Sequence, residues 1–339
     1  MKQASRRTDI PVILLHNIDP RWDAPDIELV LKDVKIMNDA LVAEGHPVID
    51  LPVLSPDLVK SLRPYDPDGH IVLNWCEEIP TQPKSEVDVV ALLEELSYTY
   101  TGSPSDVLAL SWDKMKVKRI LQEKGLSTPH GALLKKEEAD RWDRFPAIVK
   151  PAREHGSTGV TADAVVMDRR ELRARIAYIE TTYRQPALVE EFIEGRELHV
   201  TVWGNGRLEM LPPAEMNFSA FTETRRHLCT YDSKFKPGSE DFEKIELTVP
   251  AVLDDAQLRQ LEQLSVGSYR AIGCRDYARI DLRLRNDTFY VLDINPNADL
   301  SPETSTVFAA ASTGRSYGRF VSGLVNLAAH RHPVFSARS

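Results

Sequence analysis

The run ARIDLRLRNDTFYVLDINPN (278–297) carries Asp281, Asp293 and Asn295 on two strand-like segments joined by a polar turn. Side chains alternate along a strand, so Ile280, Leu282 and Leu284 share one face and Arg279, Asp281, Arg283 and Arg285 the other. In the second segment Phe289, Val291, Asp293 and Asn295 oppose Tyr290, Leu292 and Ile294. A two-residue Asn286-Asp287 loop would set Asp281 against Leu292 and mix the faces. A three-residue loop of Asn286, Asp287 and Thr288 pairs Asp281 with Asp293 and Arg279 with Asn295, and parity favours it. Directly opposed Cβ atoms lie roughly 4.5–5.5 Å apart, where like charges destabilise. Something positive must therefore sit between the aspartates. Two carboxylates and an amide oxygen form a hard set that suits Mg²⁺. Pairing with Arg279 and Arg283 would instead make a solvated acid–base ladder.

Three further stretches carry chemistry-bearing residues. In VKPAREHGSTGV (149–160), Lys150 closes an apolar run, where an unpaired ammonium is costly unless it faces an anion. The small residues Gly156, Ser157, Thr158 and Gly159 follow. Such a loop can turn successive amides toward phosphate oxygens or form an ordinary turn, and it is not a Walker loop. Lys114 sits in the first turn of a helix, against the dipole, which suits either an anionic partner or a solvated lysine. Lys116 and Lys118 on the same helix are expected to be dispensable. ALVEEFIEGREL (187–198) could present Glu190 and backbone groups to a base between Phe192 and Ile193, with Glu197 on ribose hydroxyls, or be a charged strand edge.

Composition narrows the partners. The 339 residues hold 42 Lys and Arg against 51 Asp and Glu, a net charge of −9, which argues against a broad nucleic-acid surface. An anionic ligand would need cations gathered in a cleft. Cys76, Cys229 and Cys274 are odd in number and widely spaced, which suggests no disulfide framework or zinc knuckle. The apolar run near the N-terminus is too short for a signal peptide, and no stretch reaches membrane-span length. A reducing cytoplasm is the expected setting.

The elements that must position these residues follow from periodicity. IPVILLHN and PVIDLPV flank a helical pattern, a βαβ unit that predicts a parallel sheet. HIVLNWCEE supplies a third strand, and a first domain is expected over 1–100. A middle segment, 101–186, begins with the helix SWDKMKVKRILQEKG, with Ser111 as N-cap and Gly125 as stop. HGALL, PAIVKPA and TADAVVM are expected to be strands. The last segment, 187–339, holds helices near 254–271 and 315–330, and residues 221–244 read as a long functional loop.

In order, SWDKMKVKRIL, FPAIVKPAREHGSTGV, ALVEEFIEGREL, YDSKF, ARIDLR and VLDINPN resemble the ATP-grasp enzymes, most closely the D-alanine–D-alanine ligase branch. The resemblance runs from about residue 100 to 330 and is weaker before it, where Glu28 is a candidate counterpart. It implies an α/β chain, α+β in its ATP-grasp part. An N-terminal parallel-sheet domain would precede two ATP-grasp subdomains. It also implies ATP and two Mg²⁺ (or Mn²⁺) ions. Lys114 and Lys150 would contact phosphates beneath loop 153–159, including Gly156 and Thr158. Glu190, Glu191, Phe192 and Ile193 would form the adenine hinge, with Glu197 on the ribose. Asp281, Asp293 and Asn295 would hold the metals, Lys234 would lie beside the γ-phosphate, and Arg279 would stabilise the oxyanion. The partners implied are a small-molecule carboxylate and amine, with neither nucleic acid nor membrane, and a homodimer is compatible with the resemblance.

Departures gather on the acceptor side. The family's metal glutamate is Asp293. Its loop serine falls on Gly156, leaving Ser157 adjacent to serve catalysis, and its tyrosine is Phe235. The PGM turn reads NADLS (297–301), and the N-terminal GG…E signature is missing. The expectation is a carboxylate–amine ligase acting through an acyl phosphate on amino acids or small peptides. The alternatives are a true D-alanine–D-alanine or D-alanine–hydroxy acid ligase, and an ATP-grasp small-molecule kinase.

Overall fold

The computed structural model describes residues 7–236 and 238–336. The first sheet is parallel, β1 (Val12–Asn17), β2 (Val48–Val53), β3 (Ile71–Trp75) and β4 (Thr99–Tyr100), in the order β2-β1-β3-β4. Its strands are nearly unbroken apolar runs because both faces are covered. The helix Ala24–Ala43, capped by Asp23, returns the chain from β1 to β2 as the βαβ pattern requires. The last helix, Tyr317–Ala329, packs Phe320, Val321 and Leu324 against Met37, Leu41 and Leu73, so the two ends of the chain share one core.

The second sheet is antiparallel, β5 (Gly131–Leu134), β6 (Ala147–Pro151), β7 (Val165–Val166) and β8 (Ala187–Glu191), in the order β5-β8-β6-β7. The helix Arg169–Tyr183, capped by Asp168, covers one face with Leu172, Ile176 and Ile179. The third sheet comprises β9 (Arg196–Trp203), β10 (Glu209–Met210), β11 (Ala214–Asn217), β12 (Glu246–Thr248), β13 (Tyr277–Arg285) and β14 (Thr288–Asn295). It runs β12-β11-β9-β13-β14, with β10 paired to β9. The amphipathic helix Asp255–Ile272 packs Leu261, Leu264 and Ile272 onto Leu198, Val200, Ile280 and Leu282. Gly195 makes the tight corner between β8 and β9: its φ is +155°, and a Cβ there would stand 2.0 Å from the Leu284 carbonyl oxygen.

The β13–β14 hairpin pairs Asp281 with Asp293 and Arg279 with Asn295, as parity demands, but by another route. Its loop has two residues, Asn286 and Asp287, both left-handed (φ +48° and +58°), as a type I′ turn requires. A bulge beyond Asp281 leaves Leu292 as the extra residue and reverses the phase. Phe289, Val291 and Ile294 therefore all enter the core, while Leu292, Asp293 and Asn295 line a cavity.

Other boundaries shift. Ser111 ends the helix Ser105–Ser111, and Asp113 caps Lys114–Glu123 by accepting from the Lys116 amide. Within TADAVVM only Val165–Val166 is strand, preceded by a 3-10 turn at Ala162–Ala164. Residues 221–244 hold three short helical turns, Thr224–Arg226, Asp232–Phe235 and Glu240–Lys244. Lys234 and Phe235 fall in the second of these, and their side chains lie outside the described residues.

Candidate active site

The second and third sheets face each other across a cavity lined by Lys114, Lys150, Gly156, Ser157, Thr158, Glu190, Glu191, Phe192, Ile193, Glu197, Arg279, Asp281, Asp293 and Asn295. The sequence-expected positions other than Lys234 thus converge on one wall-to-wall site. Helix spacing brings Lys114 and Lys118 to one face of Lys114–Glu123, above Val117 and Leu121, which anchor that helix in the core.

Glu190 is the electrostatic centre of this wall. Its two oxygens meet Lys118 at 2.6 Å and Lys150 at 2.5 Å. Burial opposes its ionisation, but the two ammoniums outweigh burial and hold the carboxyl at about 2. Lys118, expected to be dispensable, is 3% exposed. It also donates to Thr128 Oγ1 and the Pro129 carbonyl, both at 2.8 Å, which uses all three of its protons. The Glu190 carboxylate is therefore committed to the lysines and not available to a base. The Glu191 and Phe192 amides donate to the His130 and Pro146 carbonyls, and the Ile193 carbonyl accepts from Arg283. Glu191 itself bonds Arg285 at 2.8 Å.

On the opposite wall each aspartate has its own cation. Arg279 binds Asp281 through two N–H groups at 2.7 and 3.0 Å, and Lys114 binds Asp293. Burial would raise Asp293, but Lys114 and then Lys150 lower it below the usual carboxylate range. Arg283 does not join the aspartates; it clamps Glu197 at 2.8 and 3.0 Å across β9 and β13. A chain with net charge −9 thus gathers Lys114, Lys118, Lys150, Arg279 and Arg283 around one cavity. They pair with four carboxylates, and the two other acids on the cavity wall, Glu154 and Glu191, are met by Lys84 and Arg285.

Asp281, Asp293 and Asn295 fit a hard divalent cation. They are oxygen donors on adjacent strands, facing one cavity, and Asn295 already touches Asp281 at 3.1 Å. The ammonium and guanidinium now on the aspartates neutralise the charge that Mg²⁺ would.

The loop 153–159 is drawn down over the cavity. Glu154 accepts from Lys84 of the first domain and from Gln185 at 2.7 Å, and Ser157 Oγ donates to the Cys229 carbonyl at 3.0 Å. His155 stacks edge-on to Trp112 at 4.3 Å, and burial with the Lys114 charge lowers its pKa to about 4, so it is neutral. The cavity offers about 140 Å³, less than the roughly 300–1,000 Å³ of small-molecule sites, and is partly open to solvent. Sequence reasoning missed Lys118, Glu154 and His155. Their signals were a lysine one helical turn from Lys114 and a large imidazole inside an otherwise small-residue loop.

Residues 120–326 match the family model described as D-ala D-ala ligase C-terminus. The D-alanine–D-alanine ligase of Desulforudis audaxviator is 34% identical over 312 residues, covering 90% of this chain and 95% of that protein. The uncharacterized protein y4sG of Sinorhizobium fredii is 35% identical over 279 residues, 81% of this chain and 80% of that one. A crystal structure of D-alanine–D-alanine ligase from Bacillus anthracis complexed with ATP superposes with a TM-score of 0.71 over 97% of this chain and 100% of that one, at 18% identity. The match to the Desulforudis protein runs through the first domain as well as the cavity walls. The chain belongs to the D-alanine–D-alanine ligase family of ATP-grasp enzymes and is an ATP-dependent, ADP-forming carboxylate–amine ligase.

Proposed function

We propose that the enzyme activates a carboxylate with ATP and joins it to an amine-bearing acceptor other than D-alanine, from among amino acids and small peptides. The observation that carries this reading is the meeting of Lys114, Lys150 and the Asp281–Asp293–Asn295 set in one cavity. Lys114 and Lys150 bind ATP phosphates, loop 153–159 closes over them, and residues 190–193 border the base, with Glu197 on the ribose. Mg²⁺ held by Asp281, Asp293 and Asn295 would supply charge neutralisation for the phosphoryl group in transfer.

The substrate carboxylate attacks the γ-phosphorus, the bond to the β-phosphate oxygen breaks, and ADP leaves. The amine then attacks the acyl phosphate and expels phosphate. Arg279, beside the cavity, stabilises the tetrahedral oxyanion. Lys234 lies beside the γ-phosphate in this reading, and Ser157 takes over the loop-serine role from Gly156. A cytoplasmic, homodimeric enzyme is the reading we adopt from the family.

The acceptor side supports a substrate other than D-alanine. After Asn295 the turn carries Asp299, which accepts from the Trp75 indole at 3.2 Å, and Asn297, which accepts from the Ser103 amide at 2.8 Å. Nearby, desolvation pushes Glu86 up to about 7. The free carboxylate of a D-alanine acceptor brought to this turn would face the Asp299 carboxylate. Gly156 and Phe235 also lack the hydroxyls that the family pattern places there.

The names of the relatives favour a second reading, a true D-alanine–D-alanine ligase. A phosphate-release screen of amino-acid and dipeptide pairs, followed by mass spectrometry, tests the proposal. A condensed product with ADP is expected. A stable phosphorylated product formed without a second substrate would make the enzyme a kinase.

A further inference from the structure

Glu197 and His199 are next-but-one neighbours on β9 and project to the same face. Cys229 reaches them from the segment before Asp232–Phe235. Among the described residues, one ligand atom from each of the three lies within 4.8 Å of the other two. All are buried, at 5, 6 and 8% exposure.

His199 Nε2 is the unresolved atom of this group. It stands 3.6 Å from Glu197 Oε1 and 4.0 Å from Asp281 Oδ1, too far for hydrogen bonds, and it has no hydrogen-bond partner although buried. Leaving a buried polar atom unpaired costs about 1–3 kcal/mol, so something else is expected to meet it. The 3.6 Å gap between His199 Nε2 and Glu197 Oε1 is the spacing of two donors around a small ion. With metal–nitrogen near 2.0 Å and metal–sulfur near 2.3 Å, tetrahedral donors stand about 3.3–3.8 Å apart.

The surroundings orient the donors as a metal site requires. His199 Nδ1 faces Ser305 Oγ at 3.3 Å, which turns the Nε2 lone pair inward. Arg283 holds Glu197 by Oε2 alone, leaving Oε1 toward His199. We propose that Glu197, His199 and Cys229 bind a zinc-class transition-metal ion, with its fourth position open to the cavity. Imidazole and thiolate select such ions over Mg²⁺, which belongs to the all-oxygen set beside them. The Cys229 thiol releases its proton to solvent on binding, and the thiolate and the Glu197 carboxylate balance the divalent charge. Arg283 remains on Glu197 Oε2, and Arg279 remains on Asp281. Because Glu197 and Cys229 line the nucleotide cavity, the ion and ATP exclude one another, making the site inhibitory; this last step rests on the ATP reading above.

The test is titration of the metal-free full-length protein with Co²⁺ alone. One ion per chain is expected, with tetrahedral visible bands and a near-ultraviolet thiolate charge-transfer band, and stoichiometric Zn²⁺ should erase both. Cys229→Ser should lose the charge-transfer band, and His199→Ala should weaken binding by at least about tenfold. Circular dichroism of both variants checks that they fold. Absence of the thiolate band in the wild type overturns the site without recourse to any variant. So does its persistence in Cys229→Ser, which would assign it to Cys76 or Cys274. ATP in excess Mg²⁺, which leaves little free triphosphate to chelate Co²⁺, should discharge the Co²⁺ spectrum; a spectrum that survives bound MgATP overturns the exclusion. Failure of ATP to bind the metal-free protein would instead count against the nucleotide reading.

Discussion

The two sides of the catalytic cleft solve their electrostatics in opposite ways. On the nucleotide side each buried acid has a cation at contact distance: Glu190 with Lys118 and Lys150, Glu197 with Arg283, Asp281 with Arg279. On the side proposed for the acceptor, Asp299 follows β14 and Glu86 starts the helix Glu86–Glu95, its carboxyl pushed up to about 7 by desolvation. A site whose charges are already paired can be kept while substrates change, because its ligand is always ATP. In the function proposed above, specificity is set on the other side, where the NADLS turn (297–301) departs from the family pattern.

The largest expected effect is at the centre of the paired side. Glu190→Gln leaves two buried ammoniums without a counter-charge and should cost about 3–5 kcal/mol in urea unfolding. The Glu190 pKa is lowered on folding, from an ordinary 4.5 to about 2, so its stabilisation is full above the unfolded value and is lost as pH falls through that window. The Glu190→Gln variant should lack this acid-side loss; an unchanged acid profile would break the comparison.

Asp293→Asn should lower turnover by about 10²–10³-fold, the scale of removing one charge-stabilising group, with less change in nucleotide affinity. Near-normal phosphate release at saturating Mg²⁺ would contradict the metal assignment. Lys118→Ala and Lys116→Ala then sharpen the comparison within one helix. Lys118→Ala strips one partner from a buried pair and should cost about 3 kcal/mol. Exposed Lys116 should stay within about 0.5 kcal/mol.

A smaller effect is expected at Lys84, whose left-handed backbone (φ +67°) sends its half-exposed side chain to Glu154. Glu154 is buried but keeps the Gln185 amide, so losing the half-exposed ammonium costs about 1.5–3 kcal/mol, and Lys84→Ala should raise the KM for ATP and leave kcat nearly unchanged. Amide exchange should quicken across 153–159.

The Asp281–Asp293 pairing was legible because two acids on one hairpin are tolerated only with a cation between them, although regular alternation alone does not produce it. The turn was not, since a bulge at Leu292 makes a two-residue loop give the same pairing. Lys118 escaped because helix periodicity places it on the face of Lys114 but cannot say what covers that face. Glu190 read as a base contact because nothing in ALVEEFIEGREL reveals two lysines from other elements. The His199–Cys229 proximity is a product of chain return through 204–228, which carries no short-range signal.

The most direct measurement of the central claim, a retained ATP machine with a changed acceptor, is phosphate release with D-alanine alone, ATP and Mg²⁺, with products identified by mass spectrometry. The account predicts little release and no D-alanyl-D-alanine, with much faster release for another amino-acid or dipeptide pair. Efficient turnover to D-alanyl-D-alanine would contradict it and make the enzyme a true D-alanine–D-alanine ligase.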